Sequence, residues 1–447
     1  MNMQVFMDEL MEAARQAGIE TAEINCIESD SFSVTAMNGS IDAYEVSSGS
    51  GLSLRGTVNG RMGYASTQAY DGDAIRQLVQ GVLESAALNE AEEQDEIFAG
   101  EERYPEVETP ENDLDAFTAH DKVAMALAAE KAMLAADSRL SKSEGATVVT
   151  GRGKRTLRNS YGLLLELEHA YCAAYSGAIA KEGEDSASSY EQKAGFRLAE
   201  IDPEELGRKA AEKTVSMLHA RPVDSGEYRV IIRRDAMVNL LGVFCGIFSA
   251  ENAQQKMSLL GGREGEKIAS DVVTIMDDPL LKGGFASTPF DAEGSASRTK
   301  AVVDHGVLTT LLHNRKTARK QGVETTGNAS RGSVSSPVHV APTNFFFQPG
   351  EKGLEELMAD AGEGILITEV SGLHAGANPI SGDFSLLSKG FVIEHGKQGR
   401  PVEQITVAGN FYSLLKSVRA VGSDLEFPGR GIGSPSVDVG TLSVSGK

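Results

Sequence analysis

Residues 364–427 read GILITEVSGLHAGANPISGDFSLLSKGFVIEHGKQGRPVEQITVAGNFYSLLKSVRAVGSDLEF, and this stretch decides the fold class. β-Branched and aromatic runs of strand length alternate with Gly, Asn, Asp and Pro corners, the pattern of antiparallel strands joined by tight turns. Within it, Ser371-Gly-Leu-His374-Ala-Gly-Ala-Asn378-Pro-Ile-Ser381-Gly-Asp383 gathers a His, an Asn, two Ser and an Asp among turn-forming residues. Glycine lets a backbone approach a ligand closely, which makes His374, Asn378, Ser381 and Asp383 candidate site residues. The same composition is also ordinary turn chemistry.

Towards the N-terminus, Glu227–Arg233 has strand character and is followed by Asp235, a candidate helix N-cap, and by the apolar run AMVNLLGVFCGIFSAEN. A helix apolar on most faces belongs in the interior of a large unit. Apart from short helices at 316–321 and 354–361, the rest of the C-terminal half is strand and turn. Residues 3–17 place Val5, Phe6, Leu10, Met11 and Ala14 on one helical face. A meander over 20–66 follows, punctuated by Asn38-Gly39, Gly49, Gly51, Gly56 and Asn59-Gly60, and then a helix over 73–88. The order repeats: a helix over 118–137, a meander over 140–196 turning at Gly151-Arg-Gly153, Asn159–Gly162 and Lys181–Asp185, and a helix opened by Asp202-Pro-Glu-Glu. No residue-level repeat accompanies it. Between Glu90 and Asp115 stand twelve acids against one Arg, with Pro105 and Pro110, the composition of a solvated linker or loose arm. The expectation is an α+β protein: an N-terminal α+β module (1–89), an acidic linker (90–115), a middle α+β module (116–220) able to pack with the first as one domain, and a β-rich C-terminal domain (221–447) around a buried helix.

A chain of 447 residues is long enough to bury a core without disulfide or metal. Three scattered cysteines, Cys26, Cys172 and Cys245, make no CxxC pair and fit a reducing compartment. A formal net charge of −22 argues against direct nucleic-acid binding, which needs clustered Lys and Arg. The N-terminal segment carries acids within an amphipathic pattern, unlike a signal or transit peptide, and the apolar run 236–250 is too short to span a bilayer. A cytoplasmic protein is expected.

Chemistry is sparsely signalled. No two His lie within seven residues and no His-Glu dipeptide occurs, so a zinc site would have to be assembled from distant residues such as His305, His374 and His395. His374, Ser381 and Asp383 supply the residue types of a hydrolytic triad, which only geometry can define. Cys245, in the apolar helix, reads as core. Gly261–Gly265 and Gly429–Gly433 lack the Gly-Lys-Ser/Thr ending and the strand-to-helix setting of phosphate loops.

Several segments together carry a resemblance: Met37-Asn-Gly-Ser-Ile-Asp42 with Gly51-Leu-Ser-Leu-Arg-Gly56, Asn159-Ser-Tyr-Gly162, Thr326-Gly-Asn-Ala-Ser-Arg331, Ser381-Gly-Asp383 and Pro401-Val-Glu-Gln-Ile-Thr-Val-Ala-Gly-Asn410. On these the chain resembles the TldD/PmbA family of DNA gyrase modulators, and specifically its PmbA (TldE) branch. The TldD branch is a zinc metallopeptidase with a His-Glu-x-x-x-His helix and a later Cys ligand. Aligned by the preceding Leu-Leu, its six motif positions fall here on Gly242 to Ile247, with Gly242, Val243 and Ile247 where the ligands and base would stand, and no cysteine follows Cys245. The resemblance therefore implies a subunit without catalytic or metal-binding residues, paired with a TldD-type partner that carries zinc. It also implies peptide substrates threaded as extended strands, a homodimer when alone, and roles in peptide-antibiotic maturation and antitoxin degradation. It nominates Asn328 and Arg331 beside the 374–383 loop as substrate or cavity residues. The alternatives are an independent hydrolase using His374, Ser381 and Asp383, and a stand-alone peptide-binding homodimer.

Overall fold

The computed structural model describes residues 2–90 and 95–447. Helix α1 (Met3–Gln16) starts at Asn2, whose side chain accepts from the Gln4 amide at 2.8 Å. It buries Phe6, Met7, Leu10 and Ala14; Met7 replaces the expected Val5, which stays 46% exposed. Strands β1 (Thr21–Met37), β2 (Ser40–Val58) and β3 (Arg61–Thr67) follow, then α2 (Gly72–Leu88). The turns at Asn38-Gly39 and Asn59-Gly60 have positive φ at both residues, as two-residue hairpins demand. Gly49, Gly51 and Gly56, expected as breaks, lie inside β2.

The second unit repeats the order with α3 (Ala119–Ala136), β4 (Leu140–Asn159), β5 (Leu164–Glu182), β6 (Asp185–Gly195) and α4 (Pro203–Ser216), the last capped by Asp202 as the sequence predicts. The expected turn at Gly151-Arg-Gly153 does not exist. β4 runs straight through it, and the two glycines leave room for rings of the neighbouring strand: as those rings stand, a Cβ at 151 would strike Tyr171 and one at 153 His169. All six strands form one antiparallel sheet ordered β3-β2-β1-β4-β5-β6, so the two meanders join through β1 and β4. Helices α1 and α2 cover the apolar side of the first half, and α3 and α4 that of the second.

The C-terminal unit opens with β7 (Gly226–Ile232) and α5 (Arg234–Phe244). β7 pairs parallel with Gly364–Ser371 and antiparallel with Val437–Ser445; Asp383–Glu394 and Lys397–Asn410 extend the sheet, and Lys397–Asn410 returns to Val437–Ser445, closing a ring of five strands. α5 is buried as expected through Ala236, Met237, Leu240, Leu241 and Phe244, and Phe244 stacks on Phe411 with centroids 4.6 Å apart. Among the described residues no helix is long and apolar enough to cross a membrane.

The acidic segment is no loose arm from Asp95 onward. Ile97 is 7% exposed, the Phe98 carbonyl accepts from Asn159 Nδ2 at 2.6 Å, and the Arg315 guanidinium lies 3.7 Å from the Phe98 ring centroid. Tyr104 donates to the Gly294 carbonyl at 2.8 Å, and Asp95, Glu96 and Glu108 pair with Lys316, Arg319 and Lys282. The acids thus strap the N-terminal sheet to the C-terminal unit by meeting cations there, an outcome composition cannot reveal because the partners lie about 200 residues away.

Candidate functional site

A cleft beside α5 lies between β5, β6 and α4 on one side and that helix on the other, with a volume of about 410 Å³. Its floor follows from the β7–α5 junction. Arg233, not Asp235, is the N-cap of α5; Asp235 sits in the first turn, where a carboxylate suits the helix dipole, and accepts from Arg233 at 2.6 Å. Burial alone would raise Asp235, but Arg233, Lys213 and Arg234 around it outweigh burial and hold the carboxyl below its ordinary value. Val238 and Asn239, one turn on, also face the cleft.

The walls are aromatic and charged. Tyr175 and Tyr190 come from β5 and β6, and Thr368 and Glu369 from the strand Gly364–Ser371, where a register shift between Ile367 and Glu369 accompanies both side chains lining the cleft. Burial, then Glu369, pushes the Tyr190 phenol up. Lys213 pairs with Glu191 and lies 3.7 Å from Asp235, and Arg234 reaches Glu426 at 2.6 Å. Arg430 donates to Asn239 Oδ1 at 2.7 Å. A second cavity of about 250 Å³, lined by Tyr171, Phe196 and Phe285, shares Gly429 with the first.

Of the three positions singled out by the resemblance, Gly242 and Val243 lie on α5 and Ile247 in the 3₁₀ turn that follows it. A Cβ at Gly242 would meet no atom within 4 Å, so this position opens onto free space. Val243 is half-buried, while Ile247 is 1% exposed in one apolar cluster with Ile405 and Val407. The α-helix ends at Phe244 and continues as 3₁₀ over Cys245–Phe248, and Val243 packs at the edge of the same apolar cluster that buries Ile247. Zinc does not fit here: Gly, Val and Ile have no lone pair to give, and Arg430 brings a cation to the helix. Cys245 is pushed up to about 11 by burial, and its Sγ–H points at the Gly242 carbonyl. His305, His374 and His395 are not brought together, and among the described residues no three His, Cys, Asp or Glu side chains are grouped to hold a metal ion.

The loop nominated from sequence lies outside the cleft. His374 is exposed on the short helix Leu373–Gly376, and among the described residues it makes no hydrogen bond to Ser381 or Asp383. Ser381 instead donates to Asp383 at 2.8 Å, Asn410 Nδ2 donates to Asp383 and to the Ser381 carbonyl, and Asn378 Oδ1 accepts from the Ile380 and Ser381 amides. Asn410 and Ser381 hold Asp383 below its ordinary value. This is turn chemistry, with no imidazole to activate the hydroxyl.

Asn328 is buried: its Nδ2 donates to Asp277 at 2.8 Å and its Oδ1 accepts from Lys300 at 2.9 Å. Arg331 is 9% exposed where the N-terminal sheet docks, 3.8 Å from Glu23 and donating to Ser53; burial, with Arg55 beside it, pushes it down to about 10. Neither lines the cleft. Sequence reasoning missed Arg233, Arg234, Tyr190, Glu369 and Arg430. The one available signal was Arg430 between Gly429 and Gly431, in a segment weighed only as a phosphate loop.

Profiles described as PmbA/TldA metallopeptidase domain 1, central domain and C-terminal domain match residues 22–86, 112–218 and 225–446. The metalloprotease PmbA of Escherichia coli O157:H7 is 29% identical over 91% of this chain and 88% of its own length. The crystal structure of a candidate DNA gyrase modulator from Thermotoga maritima superposes with a TM-score of 0.92 at 33% identity, covering 99% of this chain and 100% of that one. TldE from Thermococcus kodakarensis, at 22% identity and a TM-score of 0.86 over 99% of this chain and 100% of its own, shows the same fold.

Proposed function

The chain belongs to the TldD/PmbA family, and from that premise we propose that it is a cytoplasmic PmbA/TldE-like subunit that completes a TldD-type zinc metallopeptidase without binding metal itself. The observation that carries this reading is the degenerate helix: Gly242, Val243 and Ile247 occupy the motif positions, and Ile247 is sealed in the apolar core. No lone pair and no general base remains to activate water there. Zinc and the hydrolytic step belong to the partner, and this subunit contributes a cleft that holds unstructured peptides in extended form. Alone, the chain forms a homodimer.

Metal analysis of protein never exposed to chelator tests the reading. Far less than one transition metal per chain is expected, together with no hydrolysis of a peptide library by the isolated protein. One tightly held zinc per chain refutes it. The triple substitution Gly242→His, Val243→Glu, Ile247→His is expected to leave zinc unbound, because position 247 faces the core and no third ligand follows. A TldD-type chain copurifying from the native cell supports the heteromer, and light scattering of the isolated chain is expected to give a dimer mass.

A further inference from the structure

We infer that the cleft beside α5 holds the free carboxylate end of a short peptide on Arg430, with a cationic group of the same peptide answered by Glu369; this rests on the reading that the subunit handles peptides. Of the four cations lining the cleft, three meet carboxylates: Lys213 with Glu191, Arg233 with Asp235, and Arg234 with Glu426. The fourth, Arg430, bonds the neutral amide oxygen of Asn239, and among the described residues no carboxylate lies within ion-pair distance of it. That bond fixes the guanidinium against α5 and leaves most of its five N–H donors free, in a planar fork that matches a carboxylate.

Glu369 is the complementary case. It is half-buried and lines the same cleft, and among the described residues no basic group stands within ion-pair distance of it: Lys389, opposite it across the paired strands, donates to the Ser188 carbonyl instead. A half-buried carboxylate without a partner is unfavourable, and a cation arriving with the ligand removes that disadvantage. Tyr190 lines the same cleft as both groups, and after burial, which raises its phenol most, Glu369 and Asp235 raise it further while Arg430 opposes them. The cleft thus offers one unmatched positive and one unmatched negative group, a dipolar pattern met by a peptide with a free carboxylate and a basic side chain. The volume of about 410 Å³ lies in the range of built ligand sites, and the aromatic cavity beyond Gly429 continues the path for the rest of the chain.

Fluorescence anisotropy with the full-length protein tests this, using three fluorescein-labelled pentapeptides: four alanines and a C-terminal lysine with free carboxylate, the same peptide as its C-terminal amide, and five alanines with free carboxylate. The wild type is expected to bind the lysine acid about tenfold more tightly than the amide, as one charge-assisted contact implies. Arg430→Gln abolishes that ratio and Arg430→Lys keeps part of it, because the charge remains and the fork is lost. Glu369→Gln weakens the lysine peptide and leaves the alanine peptide unchanged. Equal affinity for acid and amide in the wild type, a ratio surviving in Arg430→Gln, or no binding of any probe at millimolar concentration overturns the inference. Zinc in the isolated chain sinks the subunit reading while leaving the acid-to-amide ratio standing, so the two failures are distinguishable.

Discussion

Two substitutions on one short segment should change stability in opposite directions. Ile247 is 1% exposed, so Ile247→Ala withdraws three carbons from nearly complete burial. At about 0.8 kcal/mol per buried methylene the transfer loss is about 2.4 kcal/mol. A residual cavity within the cluster that also holds Phe244, Phe248 and Ile405 adds to it, giving about 2.5 to 4 kcal/mol of destabilisation. Five residues earlier, Gly242 lies in α5 with open space where a Cβ would go, so Gly242→Ala removes backbone freedom from the unfolded chain and creates no clash. It should stabilise by about 0.5 to 1 kcal/mol. Urea titration followed by far-ultraviolet circular dichroism measures both, with the slope of the transition required to stay constant. Less than about 1 kcal/mol for Ile247→Ala refutes the burial argument, because it means that the face still borders an open cavity. A destabilising Gly242→Ala refutes the open position.

Glu293 supplies a pH signature: burial, and then Asp291 beside it, push its carboxyl up to about 7 against the opposing pull of Arg55. The folded state therefore holds a proton that the unfolded state releases near 4.5, so this group's contribution falls as pH rises from about 4.5 to about 7, by up to about 1.4 kcal/mol per unit. The difference in unfolding free energy between wild type and Glu293→Gln should slope across that window and be flat above it; a flat difference throughout contradicts the shift. Tyr104→Ala removes the hydroxyl bond to the Gly294 carbonyl and the edge contact to Phe290, so a glutamate-specific protease should cut the 95–115 strap faster than in the wild type, and equal rates contradict its role as a strap.

Much of this protein was determined by sequence alone. The cap at Asp202, the hairpins at Asn38-Gly39 and Asn59-Gly60 and the burial of the apolar run that opens at Ala236 are local decisions, fixed by hydrogen-bonding side chains, positive φ and apolar patterning within a few residues. That Gly242, Val243 and Ile247 cannot ligate a metal was equally legible, because none of these side chains has a lone pair to give in any fold. Tertiary structure decided what depends on partners distant in sequence. Gly151 and Gly153 read as a turn until β5 lays Tyr171 and His169 over them. The acidic stretch reads as solvated until Lys282, Arg315, Lys316 and Arg319 meet it. His374 and Ser381 are close in sequence yet unbonded, whereas Arg430 and Asn239, 191 positions apart, share a hydrogen bond in the cleft. Ion pairing and packing act through space, and a cleft walled by β5, β6, α4 and α5 exists only after the chain has brought those elements together.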